Sequence, residues 1–332
     1  MTQPTGREGD RAADPADGAE AAEPRAAASA PSAAPVVSDD GPVVSDDGPG
    51  WAEPHAATHA THVEATAGSR DLLRQLVVAI SAVVAVVVAF IGSGAAGGTR
   101  IQDAAGGALD ADATLLAPGR GAFVIWSVIY LGLLAYAVWQ FLPSQRASER
   151  HRRLGSLVAA SMLLNATWIL TVQAGLLGLS VAVIALLLVV LCLAYATCVR
   201  LPPHRIADAI LTDGTIGLYL GWVCVATAAN LTAALVAAGF DGWGLPPEAW
   251  AVLVIAVATA AVAALGVFSR GGIAPMLSAC WGLAWIAVAR LGGEPASAVV
   301  GIAAIAGIVL IVGVTVSARM VAGRNRRLGS PR

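Results

Sequence analysis

The sequence predicts an all-α polytopic membrane protein with about eight transmembrane helices, preceded by a disordered tail. Of its 332 residues, 57% are hydrophobic and only 13% are charged, whereas a soluble domain carries about 25% charged residues. Apolar runs long enough to cross a bilayer core follow one another from Leu72 onward. The arginines that flank these runs alternate between a rich side and a poor side, which is typical of a multi-pass chain.

Residues 1–70 differ in composition from the rest of the chain and hold twelve Asp and Glu against four Arg. They are mostly Ala, Pro, Asp, Gly and Ser, which offer too little apolar surface to offset the entropy lost on ordering. We therefore expect a disordered, acidic, Ala/Pro-rich cytoplasmic tail. The spacing of His55, His59 and His62 would group them on a helix, but no carboxylate is fixed nearby. We interpret them as ordinary tail residues rather than a metal site.

The apolar runs after the tail give the predicted helices and domain boundaries. The helices are placed at 72–94, 119–142, 153–175, 177–199, 209–237, 248–268, 273–291 and 296–320. The first five form a membrane domain over 71–238, three additional helices occupy 239–321, and 322–332 is a basic cytoplasmic tail. The fifth run is long enough to tilt, or to begin outside the hydrocarbon.

The distribution of arginine supports this number of helices independently. Fourteen arginines near the membrane fall on the side of the N-terminus, and three fall on the other side: Arg100, Arg120 and Arg290. The arginine-rich side of a membrane protein is the cytoplasmic one. Both termini are therefore predicted to be cytoplasmic, in a cell (inner or plasma) membrane. The Gly-rich segment 95–118 becomes a long outer loop, placed to act as a lid over a pocket.

Three of the predicted helices carry aromatic and amide residues on a single face, at about 100° per residue. The candidate ligand-binding residues on these faces are Phe123, Trp126, Tyr130, Asn165, Trp168, Tyr219, Trp222, Ala226 and Asn230. Amides are costly in lipid, so both asparagines are expected to point into the bundle. The three faces either line one pocket or pack the core, in which case the asparagines link helices by hydrogen bonds.

In these three faces the chain resembles the TspO/MBR family, the tryptophan-rich sensory proteins related to the translocator protein (peripheral benzodiazepine receptor). The family pattern F-x-x-W-x-x-x-Y corresponds to residues 123–130, and N-x-x-W corresponds to residues 165–168. The pattern Y-x-x-W-x-x-x-A-x-x-x-N corresponds to residues 219–230. The resemblance covers about residues 72–238, and short family members lack the three helices that follow.

The chain departs from the family at the approach to the second helix. The family has a Pro-rich, Trp-containing segment there, whereas this chain has only Ala-Pro-Gly-Arg at 117–120. Leu218 stands where a proline often precedes the tyrosine of the fifth helix. The position of a pocket therefore carries over more readily than the identity of its ligand.

The resemblance implies a membrane-embedded binding protein or sensor for a flat hydrophobic ligand, above all a porphyrin or related tetrapyrrole, acting in regulation or stress signalling. It implies no required cofactor, with porphyrin or haem as the candidate bound ligand. The expected partners are the lipid bilayer and a hydrophobic small molecule, a homodimer is left open, and no nucleic acid is expected.

The alternative function is a small-molecule transporter or permease that uses the same central cavity, since eight helices exceed what a simple binding protein needs. Charged residues within the predicted spans are scarce, and Asp213 is the one candidate. It lies on the face of its helix opposite Trp222, and no inverted repeat is visible. An enzyme is not expected, because the sequence shows neither a catalytic constellation nor a metal-binding cluster.

Overall fold

The computed structural model describes residues 68–328 of the chain, which are helical with no strand. Eight helices within them are long and apolar enough to cross a membrane. They are α1 (Ser69–Gly92), α2 (Arg120–Trp139), α3 (Glu149–Gln173), α4 (Leu177–Arg200), α5 (Ile206–Ala237), α6 (Pro247–Phe268), α7 (Ile273–Gly292) and α8 (Ala298–Leu328). The predicted fold class of a multi-pass α-helical membrane protein is confirmed. The predicted disordered tail up to residue 67, and residues 329–332, lie outside the described residues.

The helix ends agree with the sequence prediction to within four residues, with one exception. That exception is the end of α8, which was predicted at residue 320 and lies at Leu328. The segment after residue 320 holds a glycine and an asparagine but no proline before Leu328, so the helix is weakened there but not stopped. The predicted basic tail is thus in large part a continuation of α8.

Two of the short connections depend on glycine. α3 is followed by Gly175 at φ 74° and α5 by Gly239 at φ 77°, in the left-handed region that favours glycine. In each case the next residue donates its N–H across the turn, from Leu176 to the Thr171 carbonyl and from Phe240 to the Leu235 carbonyl, both near 3.0 Å. This is the Schellman arrangement, which satisfies the last carbonyls of a helix and turns the chain sharply.

The helices pack in an order that leaves α2 with the least extensive contacts to the other spanning helices. α1 packs along α3, α3 along α4, α4 along α5 and α5 along α7, while α8 packs against both α6 and α7. α2 contacts α1 and α5 less extensively. We call the end of the bundle where α1, α3 and α5 begin the arginine-rich end. The opposite end, where residues 93–119 connect α1 to α2, is the loop end.

Glycines make a close seam between α5 and α7. Gly217 and Gly221 are four residues apart on α5, in the small-xxx-small pattern that lets membrane helices approach. A β-carbon on Gly217 would lie 2.7 Å from the Ala274 side chain, and one on Gly221 would collide with the Pro275 carbonyl. The seam therefore joins the predicted five-helix domain to one of the three additional helices. The division of the membrane region at residue 238 stays a prediction.

The arginine-rich end contains a buried ionic cluster that the sequence interpretation did not foresee. Arg150 of α3 is 6% exposed and pairs with two carboxylates of α5, Asp213 and Asp208, the latter at 3.4 Å. Thr212 donates a hydrogen bond of 2.7 Å to Asp208. Residues 209–214 form a π-helical turn at this point, and such turns recur where a helix is locally widened at functional sites.

Candidate functional site

A cavity of about 520 Å³ lies at the loop end between α1, α2 and α3. This volume is within the range of small-molecule sites, about 300–1,000 Å³. Most of its lining is apolar, and its polar groups are few. The lining residues are Val86, Ala89, Phe90, Gly92, Ser93, Arg100, Ile101, Gln102, Phe123, Trp126, Ser127, Tyr130, Leu131, Leu134, Trp168 and Ile169.

The aromatic face of α2 forms one wall of this cavity. Phe123, Trp126 and Tyr130 are half-buried, so each presents part of its ring to the open space. Trp126 and Tyr130 stack on one another, with ring centroids 5.4 Å apart and planes inclined by 25°. The result is a continuous aromatic surface along two turns of the helix, and we call these three residues the aromatic wall.

Tyr219 and Trp222 of α5 lie behind the aromatic wall rather than in the cavity. Both are almost fully buried, and their rings meet Trp126 edge to face at centroid distances of 5.8 and 6.2 Å. Trp222 also meets Phe123 at 6.1 Å. Such edge-to-face contacts hold aromatic rings in fixed orientations. These two residues therefore support the aromatic wall and do not border the large cavity.

The two predicted asparagines have different surroundings. Asn230 accepts a hydrogen bond of 3.2 Å from Trp168 Nε1 and exchanges hydrogen bonds with the hydroxyl of Ser180 on α4. Its amide thus links α3, α4 and α5. Asn165 donates to the hydroxyl of Tyr130 at 2.6 Å. Its Oδ1 is buried without a hydrogen-bond partner among the described residues, and Asn165 borders neither of the cavities described here.

A second, much smaller cavity of about 30 Å³ lies on the other side of the aromatic wall. Ala226 and Asn230 border it, together with Trp222 and Pro118. It has room for about one water molecule. The nine predicted residues are thus brought into one cluster, of which Phe123, Trp126, Tyr130 and Trp168 border the cavity of about 520 Å³.

The loop 93–119 covers both cavities and is fastened at two places. Arg120 pairs with Asp110 through hydrogen bonds of 2.9 and 2.5 Å, and this contact holds the pKa of the Asp110 carboxyl below its usual range. The pair is therefore fully formed at neutral pH and is lost only as the pH falls through that lowered pKa.

Arg290 of α7 provides the second fastening of the loop. It is 1% exposed, and its guanidinium donates to the carbonyls of Thr114 at 3.2 Å and of Ala111, as well as to Pro295 at 3.0 Å. Trp281 and Trp285 of the same helix pack against the start of α2, where the Trp281 Nε1 donates to the Ala122 carbonyl at 2.9 Å.

The sequence model of the family described as TSPO-like protein matches residues 76–317. The chain belongs to the TspO/MBR family. Comparison with curated proteins and with solved structures gave no match. Membership indicates a ligand-binding or transport protein of the membrane. The matched region extends beyond the five helices in which the resemblance was recognised and takes in α6, α7 and most of α8.

In this member of the TspO/MBR family, the part that α1 plays in the cavity was missed by the sequence interpretation, which predicted a lid formed by the loop but none of its lining residues. Val86, Ala89 and Phe90 of α1 form the wall opposite the aromatic one, and Arg100 and Ile101 form the roof. The sequence of α1 is that of an ordinary apolar span, so little in it indicates a role in a ligand site. Two features stand out in retrospect: Phe90 is the one aromatic residue of α1, and Arg100 is one of only three arginines on the sparse side.

Proposed function

We propose that the chain binds a flat hydrophobic ligand, a porphyrin or a related tetrapyrrole, in the large cavity and serves as a membrane sensor for it. The observation that carries this proposal is the aromatic wall, a stacked and half-buried surface along a cavity of about 520 Å³. Aromatic side chains stack favourably on large π faces. Regulation or stress signalling is the role in which such binding would be used.

The polar groups around the cavity suit the heteroatoms of such a ligand. Tyr130 borders the cavity, and its hydroxyl accepts a hydrogen bond from Asn165 at 2.6 Å, which leaves its own proton to donate to a ring nitrogen or a carboxylate. Arg100 borders the cavity at the loop end, and its side chain is 64% exposed with one weak ion pair of 4.0 Å to Asp103. The guanidinium of Arg100 could therefore pair with a carboxylate at the edge of a macrocycle.

We further propose that the ligand reaches the cavity sideways from the bilayer. Phe90 of α1 and Leu131 of α2 border the cavity and are 56% and 69% exposed. α1 and α2 also pack lightly against each other. A hydrophobic ligand that is already concentrated in the membrane would therefore pass between these two helices, below the roof formed by the loop.

Trp126→Ala tests the proposed site. Removing this ring takes away the centre of the stacking surface, and we expect a loss of roughly 1–2 kcal/mol of binding free energy, or about a five- to thirtyfold rise in Kd. Titration of the detergent-solubilised protein with protoporphyrin IX, followed by absorbance, measures it. Trp243→Ala is the matched control, because Trp243 is 78% exposed and far from the cavity lining. Equal affinities of both variants and the parent protein would exclude the aromatic wall as the site.

Transport through the same cavity is the second candidate function. Buried ionisable residues of membrane proteins often mark substrate or proton pathways, and the cluster of Arg150, Asp208 and Asp213 lies at the first turns of α3 and α5, at the end of the bundle opposite the cavity. Liposomes containing the purified protein and loaded with a porphyrin distinguish the two functions. Release that depends on Trp126 favours transport, whereas retention with tight binding favours a sensor.

We propose that the protein resides in the cell membrane with both termini in the cytoplasm. The bias of fourteen arginines against three supports this orientation. A reporter of cellular side fused ahead of residue 1, or after residue 323, is expected to report the cytoplasm. A reporter fused after residue 108 follows α1 alone and is expected to report the outside. The opposite result for all three would invert the orientation.

A further inference from the structure

A separate cleft, of about 790 Å³, lies at the arginine-rich end between the first turns of α1 and α3. It is remote from the aromatic wall, which lies at the loop end, and none of its lining residues borders the large cavity. Three arginines contribute to it, Arg70, Arg74 and Arg152, with one carboxylate, Asp71. The cleft therefore has a formal charge of about +2.

The contacts of these residues leave positive charge available. Asp71 is buried and receives two hydrogen bonds from Arg152, at 2.8 and 2.6 Å, so it is already satisfied. Arg74 is held by the Arg146 carbonyl at 2.9 Å, while its Nε is buried without a hydrogen-bond partner within residues 68–328. Arg70 is exposed. Asp71 also pairs with Arg74 at 3.4 Å, so one carboxylate is shared by two guanidinium groups, and Arg70 has no carboxylate partner among the described residues.

The backbone adds to this positive field. α1 begins at Ser69, Gly68 before it has no side chain with which to cap the helix, and the one carboxylate of the first turn, Asp71, accepts the N–H of Gly68 itself at 3.2 Å. The first amide groups of a helix lack intrahelical acceptors and attract anions, phosphate above all. Gly155 of α3 makes room for the arrangement, because a β-carbon there would lie 2.6 Å from the stem of Arg74.

An apolar strip continues from the charged part of the cleft toward the middle of α1. Leu73 and Val77 line the cleft and are 63% and 43% exposed. They follow Arg70 on the same face of the helix, one and two turns further along. A cleft with this order of groups matches an anion that carries a hydrocarbon chain, and neither a free anion nor an acidic peptide would use the apolar strip.

We infer that this cleft binds an anionic phospholipid, with the headgroup phosphate between Arg70, Arg74 and the start of α1 and an acyl chain along Leu73 and Val77. Basic pockets between helices at the end of a membrane span are placed at the depth of lipid headgroups. The charge excess of the cleft selects an anionic lipid over a zwitterionic one.

Native mass spectrometry of the full chain in neutral detergent, titrated with phosphatidylglycerol or phosphatidylcholine of the same acyl chains, tests the inference. We expect phosphatidylglycerol to bind more tightly. Arg70→Gln should lower its apparent affinity about fivefold, the contribution of one arginine near an anionic surface. Arg153→Gln is the matched control: Arg153 is on α3 next to Arg152, is 63% exposed, pairs with Glu149 and does not line the cleft.

Three results would overturn the inference. They are equal binding of the two lipids, an equal loss in Arg70→Gln and Arg153→Gln, or binding of glycerol phosphate as tight as that of phosphatidylglycerol. The last of these would show an anion site to which the apolar strip contributes nothing. Because Arg70 makes no ion pair within the described residues, its replacement is expected to leave the fold and the porphyrin titration unchanged.

Discussion

Arg150→Leu is expected to destabilise the protein by about 3–5 kcal/mol, the usual cost of removing one partner of a buried ion pair. Arg150 is 6% exposed and lies against both Asp208 and Asp213. Without it, two carboxylates remain close together in a largely buried site with no opposite charge between them. Equilibrium unfolding in mixed micelles measures the loss. The control is Arg153→Leu, an exposed arginine on the same helix turn, for which we expect less than about 1 kcal/mol.

A compensating variant separates charge from packing in this cluster. Adding Asp208→Asn and Asp213→Asn to Arg150→Leu removes the uncompensated charges, and well-packed neutral replacements of buried ion pairs are often neutral in stability. We therefore expect the triple variant to recover most of the loss. A triple variant that is as unstable as the single one would show that Arg150 acts through its packing, and the ionic interpretation would then be wrong.

Gly221→Val is expected to cost about 3 kcal/mol or more, the upper part of the range for overpacking a tight contact. The added side chain would meet the Pro275 carbonyl and the Ser278 hydroxyl, and a backbone carbonyl in a packed helix cannot move aside as a flexible side chain can. α5 and α7 would have to separate. The same unfolding measurement applies.

Gly313→Val is the matched control for Gly221→Val. Gly313 lies within α8, and a β-carbon there would meet no atom within 4 Å among the described residues. The same substitution in the same type of helix is therefore expected to change stability by less than about 0.5 kcal/mol. Similar losses in both variants would show that the intrinsic preference of valine, and not the α5–α7 seam, determines the result.

The helices were predictable because each depends on a property of a single segment. An uncharged run of about 20 residues cannot remain outside the bilayer, and glycines such as Gly175 mark the turns between runs. The start of α5 was less predictable. Its π-helical turn places Asp208 and Asp213 toward Arg150, a residue almost 60 positions earlier in the sequence. Nothing local to either segment encodes that pairing.

The candidate site was predictable as a cluster but not in its internal arrangement. Helical periodicity brings Trp126, Trp222 and Asn230 to inward faces, and the structure places them together. Helical periodicity alone does not predict which of these rings borders a cavity. Trp222 is buried because Trp126 lies between it and the large cavity. The amide of Asn230 is already hydrogen-bonded to the hydroxyl of Ser180 on α4. Ser180 has no distinguishing sequence context, so the sequence favoured a ligand contact for this asparagine.

Because Arg290 fastens the loop, the site depends on residues from distant parts of the chain. The residues of the aromatic wall all precede residue 131, yet the carbonyls of Ala111 and Thr114 are tied to a helix that begins at Ile273. Trp281 and Trp285 of the same helix also pack against the start of α2, so α7 contacts both the loop and the helix that carries the aromatic wall. A fragment that stopped after α5 would therefore keep every residue that borders the large cavity and lose the contacts that fasten the loop at Ala111 and Thr114.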